Sequence, residues 1–133
     1  MNHAEKEKLR NARHLTAHLL AFAVSKYFSG DAKLGAGQVL EEGFYYDFLL
    51  PRTLKPEDLA AVEKEFIAAL KHGKEFNLRH VSPEEADRLF TEQPFKLEIL
   101  KDFVGGSADE FGNWQEGLRR DAVSVIEFDS QVD

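Results

Sequence analysis

The sequence predicts an α+β domain with a mostly antiparallel sheet, and three observations carry that expectation. A long opening segment, about Ala4 to Phe28, repeats apolar residues at three- and four-residue steps. Two strand-like runs, Leu34 to Leu40 and Phe44 to Leu50, flank a Glu41-Glu42-Gly43 turn signal. Short strands at Phe76 to Val81 and around Val123 and Val125 then interleave with helix starts near Pro56 and Ser82.

In the opening helix, Leu9, Ala12, Thr16, Leu19, Leu20, Ala23 and Tyr27 form the expected apolar stripe, and Ser29-Gly30-Asp31 is the stop. Pro51 ends the second strand of the hairpin. The next helix starts at Pro56, which suits a first helical position, and runs to about Lys71 before His72-Gly73. Its stripe is Leu59, Val62, Phe66, Ala69 and Leu70, and Lys55 is a poor cap. Ser82-Pro83-Glu84-Glu85 is a capping box opening a helix to about Thr91, with Ala86, Leu89 and Phe90 inward. Lys96 to Asp102 is another short helix. Gly105 to Gly117, around Trp114, is a polar loop or hairpin. No repeat, low-complexity tract or linker interrupts the chain, so residues 1–133 are expected to form a single domain.

Composition narrows the function. Hydrophobic residues at 43% and charged residues at 31%, with eleven Phe, fit a soluble globular protein with a sizeable core. No apolar run has the length of a membrane span, and the first ten residues are charged and polar rather than signal-like, so a cytoplasmic location and no membrane partner are expected. With no Cys, disulfides and thiolate zinc sites are excluded within these residues. A net charge of −7 argues against a free-standing, tight binder of nucleic-acid backbone. The basic clusters Lys6, Lys8, Arg10, Arg13 and Arg119, Arg120 read as solvated surface.

His14 and His18 are four apart, so they share one helix face. They fall almost opposite the apolar stripe, beside Glu7, Asn11, Ala21 and Ser25, with Phe22 and Phe28 flanking; the small residues leave room for an approaching group. Two imidazoles one turn apart can hold a metal, can polarise or deprotonate a water near neutral pH, or can do neither. A metal site needs a third ligand, and no Glu stands in the His-Glu-x-x-His arrangement. In the run Gly43 to Phe48, Phe44, Tyr46 and Phe48 share one strand face, and Tyr45, Asp47 and Leu49 the other. That run reads either as core aromatics with an edge Asp or as a pocket lined with tyrosine hydroxyls. Lys96 reads by pattern as a surface lysine, and Asp133 by itself carries no signal.

Several motifs in order resemble the editing domain of bacterial threonyl-tRNA synthetases. Arg13-His14-Leu15-Thr16-Ala17-His18-Leu19-Leu20 is similar to the histidine motif that opens that domain. Gly37-Gln38-Val39-Leu40-Glu41-Glu42-Gly43-Phe44-Tyr45-Tyr46-Asp47-Phe48 resembles its glycine-x-valine and Gly-Phe-Tyr-Tyr-Asp stretch. Leu54-Lys55-Pro56-Glu57-Asp58-Leu59, Val81-Ser82-Pro83-Glu84-Glu85-Ala86 and Phe95-Lys96-Leu97-Glu98-Ile99-Leu100 fit later segments, so the resemblance runs from Leu9 to Asp133. It implies a fold in which an antiparallel sheet wraps around a long helix bearing the paired histidines, as in the related alanyl-tRNA editing proteins.

The resemblance implies hydrolysis of the ester joining serine to threonine tRNA, an error that a synthetic pocket cannot strongly reject because serine lacks only one methyl. His14 and His18 would position or activate the attacking water, Tyr46 and Lys96 would line the pocket near the terminal adenosine and the developing charge, and Asp133 would match the aspartate that precedes the family's last motif. No cofactor is required; zinc on His14 and His18 is implied only by analogy with the alanyl relatives. The implied partners are the aminoacylated acceptor end of tRNA and the remaining synthetase domains. In the family a Cys and, four residues later, a His follow that aspartate, whereas this sequence ends at Asp133. The expectation is therefore an editing-type domain incomplete at its C-terminus, an aminoacyl-tRNA hydrolase if active, with no ligase activity of its own. A catalytically inactive acceptor-end binding remnant and a free-standing trans-editing factor are the alternatives.

Overall fold

The computed structural model describes residues 2–71, 77–104, 123–128 and 131–133. Helix α1 (His3–Tyr27) leads into the hairpin β1 (Lys33–Val39) and β2 (Phe44–Leu49). Helix α2 (Pro56–Lys71) and strand β3 (Asn77–Val81) follow, then α3 (Pro83–Leu89), α4 (Pro94–Val104), β4 (Val123–Phe128) and β5 (Gln131–Val132). The class is α+β, and every strand pairing among the described residues is antiparallel. Those strands form two sheets, β1-β2 and β3-β4-β5, rather than one. The expected features at His72-Gly73, Phe76, Gly105 to Gly117 with Trp114, and Arg119-Arg120 lie outside the described residues.

Local chemistry sets the ends of α1. The Asn2 side chain accepts the Glu5 amide at 2.9 Å, satisfying one of the first-turn donors. At the other end Gly30 N–H donates to Ser25 at 2.9 Å and Ser29 N–H to Lys26 at 3.1 Å. This is a Schellman closure, in which Ser29 and Gly30 both take positive φ, 52° and 83°.

The middle of α1 is buried on more than one side: Ala17, His18, Leu19, Ala21, Phe22, Ala23 and Val24 are all inside. The expected stripe is therefore only part of the buried surface. Ala17 and Ala21 pack on Leu34 and Tyr46 of the hairpin. Ala23, Val24 and Phe28 pack with Val62 of α2. At Ala21, one of the small residues beside the histidines, the hairpin comes close and fills the space, whereas Ser25 stays half-exposed. Thr16 is not part of an apolar stripe; its hydroxyl donates back to Ala12 at 2.7 Å. In α2, Val62 and Ala69 face inward, while Leu59 and Leu70 are 61% and 56% exposed, so the expected stripe is broader than the buried one.

A third cluster joins Val81, Ala86, Phe90, Leu100, Val123 and Val125, with Leu89 and Leu97 against it, and knits the second sheet to α3 and α4. Ser82 caps α3 by accepting the Glu85 amide at 3.1 Å, while the Glu85 carboxylate pairs with Arg79 at 3.3 Å. Between Leu34 and Gly37 the hairpin register shifts. A side chain at Gly35 would meet the Asp47 carbonyl at 2.8 Å, so this bulge needs glycine.

Candidate active site

The two imidazoles face each other along α1. Their Nε2 atoms are 3.1 Å apart and their rings stack at 5.0 Å and 25°, as side chains one helical turn apart on one face can. His18 is buried, and His14 lies nearer the surface.

Asp133 comes from the far end of the chain. Beyond β5, its backbone exchanges two hydrogen bonds of 2.9 Å with Ile126, which fixes it against β4. Its side chain is fully buried. Oδ2 lies 2.8 Å from His18 Nδ1, and Oδ1 accepts the Tyr46 hydroxyl at 2.6 Å and the Lys96 ammonium at 2.8 Å. Lys96 also sits 5.0 Å over the Tyr46 ring, a cation–π contact. Lys96 is held there because its helix is tied to the hairpin: the Gln93 side chain accepts Leu34 N–H at 2.6 Å, and Lys33 donates to the Glu92 carbonyl at 3.1 Å.

Electrostatics follow the geometry. Burial alone would push the Asp133 carboxyl up, but the Lys96 charge and the bond from His18 outweigh it and hold the group well below the usual carboxylate range. Burial first, and then the Asp133 charge, push the Tyr46 hydroxyl well above its usual value, so it stays a donor. With Asp133 ionised, His18 carries its proton on Nδ1, which turns the Nε2 lone pair toward His14. The 3.1 Å Nε2–Nε2 contact is then a hydrogen bond from His14 Nε2–H to that lone pair.

All five residues singled out from the sequence, His14, His18, Tyr46, Lys96 and Asp133, meet in this one cluster. Pattern alone misread Lys96 as surface. It is 8% exposed because α4 runs between the two sheets and the buried carboxylate neutralises its ammonium there. Among the described residues no group of three His, Cys, Asp or Glu is placed to hold a metal with His14 and His18. Asp133 approaches the opposite nitrogen of His18, so it orients that ring and does not add a ligand.

Sequence reasoning missed a second buried carboxylate. Asp58 accepts the Tyr27 hydroxyl at 2.6 Å, two bonds from Arg52 at 2.6 and 2.7 Å, and the Lys55 amide at 2.7 Å. The last bond is the one signal the sequence held. An acid three residues into a helix can reach back to the cap amide, which compensates for Lys55 as a poor cap. Two open concavities, of about 550 Å3 between the hairpin and α4 and about 390 Å3 between the start of α1 and the hairpin turn, are lined by residues other than these five.

No family model matches the chain. Curated relatives do. A threonine–tRNA ligase of Dehalococcoides mccartyi is 48% identical over 92 residues, 69% of this chain and 16% of that protein. One from Streptomyces griseus is 38% identical over 114 residues, 86% of this chain and 17% of the ligase. One from a Mycobacterium species is 47% identical over 94 residues, 70% and 14% respectively. Over most of its length the chain is therefore similar to one segment of threonine–tRNA ligases, spanning about 16% of the first of these proteins.

Proposed function

We propose that this chain is a tRNA-editing domain that hydrolyses the ester between serine and threonine tRNA. The observation that carries the reading is the meeting of an aspartate-oriented histidine pair with a lysine and a tyrosine in one buried cluster. Similarity to threonine–tRNA ligases supplies the substrate class.

The chemistry needs few parts. A water attacks the ester carbonyl carbon while the histidine pair accepts its proton. Asp133 holds the His18 ring in the productive tautomer and stabilises the charge that the pair acquires. Negative charge develops on the carbonyl oxygen, and the Lys96 ammonium is the cation available to it. The bond from the carbonyl carbon to the ribose oxygen breaks, and that oxygen takes a proton from the histidine pair or through the neighbouring ribose hydroxyl. Serine and free tRNA leave.

The test is deacylation of seryl- and threonyl-charged threonine tRNA by this chain beside His14→Ala and His18→Ala. Selective loss of serine, abolished by both substitutions, is the expected result. Folded protein with no hydrolysis above the blank, or equal loss of both amino acids, overturns the reading.

A further inference from the structure

Resting on the editing reading, we infer that the groove between the first turns of α1 and the β1-β2 turn binds the phosphodiester backbone of the single-stranded RNA leading to the ester. The groove has a volume of about 390 Å3 and is lined by Lys6, Leu9, Arg10, Arg13, Val39, Leu40 and Glu41. Three cations thus meet one carboxylate on a protein whose net charge is −7. Leu9, Val39 and Leu40 give the floor an apolar surface on which sugars and bases can lie, while the cations take phosphates.

Helix geometry places this groove next to the histidines. The face of α1 that packs on the hairpin through Ala17 and Ala21 continues toward the N-terminus as Arg13, Arg10 and Lys6. Past the hairpin turn nothing among the described residues covers it. Arg10 precedes His14 by one turn, about 6 Å along the axis and about 40° round it. Lys6 lies one turn further out. A strand whose last nucleotide sits at His14 and His18 would therefore lay its preceding phosphates along Arg10 and Lys6.

Arg13 builds the groove rather than merely lining it. Its guanidinium donates to the Leu40 carbonyl at 3.1 Å and the Glu41 carbonyl at 2.5 Å, and so pins the hairpin turn to the helix. Lys6 and Arg10 are exposed, so they can be reversed in charge without disturbing the core.

The test is anisotropy of a labelled single-stranded RNA ending in CCA, titrated with the full chain at several salt concentrations. Lys6→Glu and Arg10→Glu should each weaken binding roughly tenfold and lower the salt slope by about 0.7 or more. Arg10→Lys, which keeps the charge, should stay close to the parent. Lys64→Glu, an exposed reversal on α2, should change affinity less than about twofold. Circular dichroism checks that each variant is folded. No binding by the parent at low salt, parental binding by Arg10→Glu, or an equal loss with Lys64→Glu overturns the inference. So does displacement of the RNA by polyglutamate of equal charge, which would mark an acidic polypeptide as the partner. RNA binding lost with Arg10→Glu in a protein that hydrolyses nothing would sink the editing reading and leave the groove standing. Selective hydrolysis with an unchanged KM in Arg10→Glu would do the reverse.

Discussion

Two buried carboxylates in this protein share a pattern of partners and differ in what those partners can do. Asp58 and Asp133 each accept a tyrosine hydroxyl at 2.6 Å and a cationic side chain, and both are held well below the usual carboxylate range. The bond from Arg52 leads at Asp58; at Asp133 the Lys96 charge and the His18 bond must overcome burial. Asp58 draws its partners from nearby sequence, three to 31 residues away, and the remaining donor is a backbone amide. Asp133 reaches Tyr46 and His18 across 87 and 115 residues, and its remaining donor is an imidazole that faces a second imidazole. The first arrangement ends in groups that hold their protons near neutral pH and ties α1 to α2. The second ends in two facing imidazoles. What separates the two carboxylates is what lies beyond the first partner: a helix junction for Asp58, a second imidazole for Asp133.

Neutralising each carboxylate should separate the two roles most sharply. Asp133→Asn keeps the shape but cannot hold the His18 tautomer or balance its charge. Hydrolysis of seryl-tRNA should fall by about 10²–10⁴-fold. Asp58→Asn should leave that rate within about threefold, yet lower the thermal midpoint by roughly 5–10 °C through loss of a cap and a charged hydrogen-bond network. Single-turnover deacylation and thermal denaturation of both variants decide it. Equal rate losses would mean that Asp133, like Asp58, is only a latch.

Acid titration gives the next largest effect. Each carboxyl ionises at lower pH in the folded protein than in the unfolded chain, so each contributes stability that is fully present above the ordinary value of about 4. That stability is lost as pH falls from there toward the folded value, because the unfolded chain then binds protons that the folded one refuses. Denaturant unfolding across this acid window should show a steep loss in the parent and a shallower one in Asp58→Asn and Asp133→Asn. A variant slope as steep as the parent's would show that its carboxylate is not depressed in the folded state.

Among the described residues, sequence periodicity was enough to find every helix and four of the five strands, because Pro56, Ser82 and the Glu41-Glu42-Gly43 turn mark ends through local backbone chemistry. It did not find β5, which spans two residues and exists only through pairing with β4. The His14–His18 spacing was legible because one helix sets it. The placement of Lys96 and Asp133 was not, since both depend on how the second sheet meets α1; only the family resemblance pointed there. Leu59 and Leu70 misled because three-to-four spacing reports which residues are apolar, not whether a neighbour reaches them. Asp58 was visible as a first-turn acid, but Tyr27 and Arg52 come to it only by folding.

The smallest contrast lies in the two tyrosines, which the environment tunes in the same direction. Both hydroxyls are pushed above their usual value: Tyr27 chiefly by its bond to Asp58, Tyr46 chiefly by burial and then by Asp133. Each therefore stays protonated as a donor. In Tyr46→Phe the fully buried Asp133 keeps Lys96 and His18 among the described residues but loses its shortest bond. The stability loss should be about 1.5–3 kcal/mol, the usual worth of a hydrogen bond to a charged group. The hydrolytic rate should fall by roughly three- to tenfold, because Lys96 also loses the hydroxyl that shares its carboxylate oxygen. In Tyr27→Phe, Asp58 retains both Arg52 bonds and the Lys55 amide, so the midpoint should shift by only a few degrees, of order 2–4 °C, and the rate should not change. A Tyr27→Phe rate loss matching that of Tyr46→Phe would mean that the two clusters are coupled through α1, and that the division between latch and site drawn from their geometry is wrong.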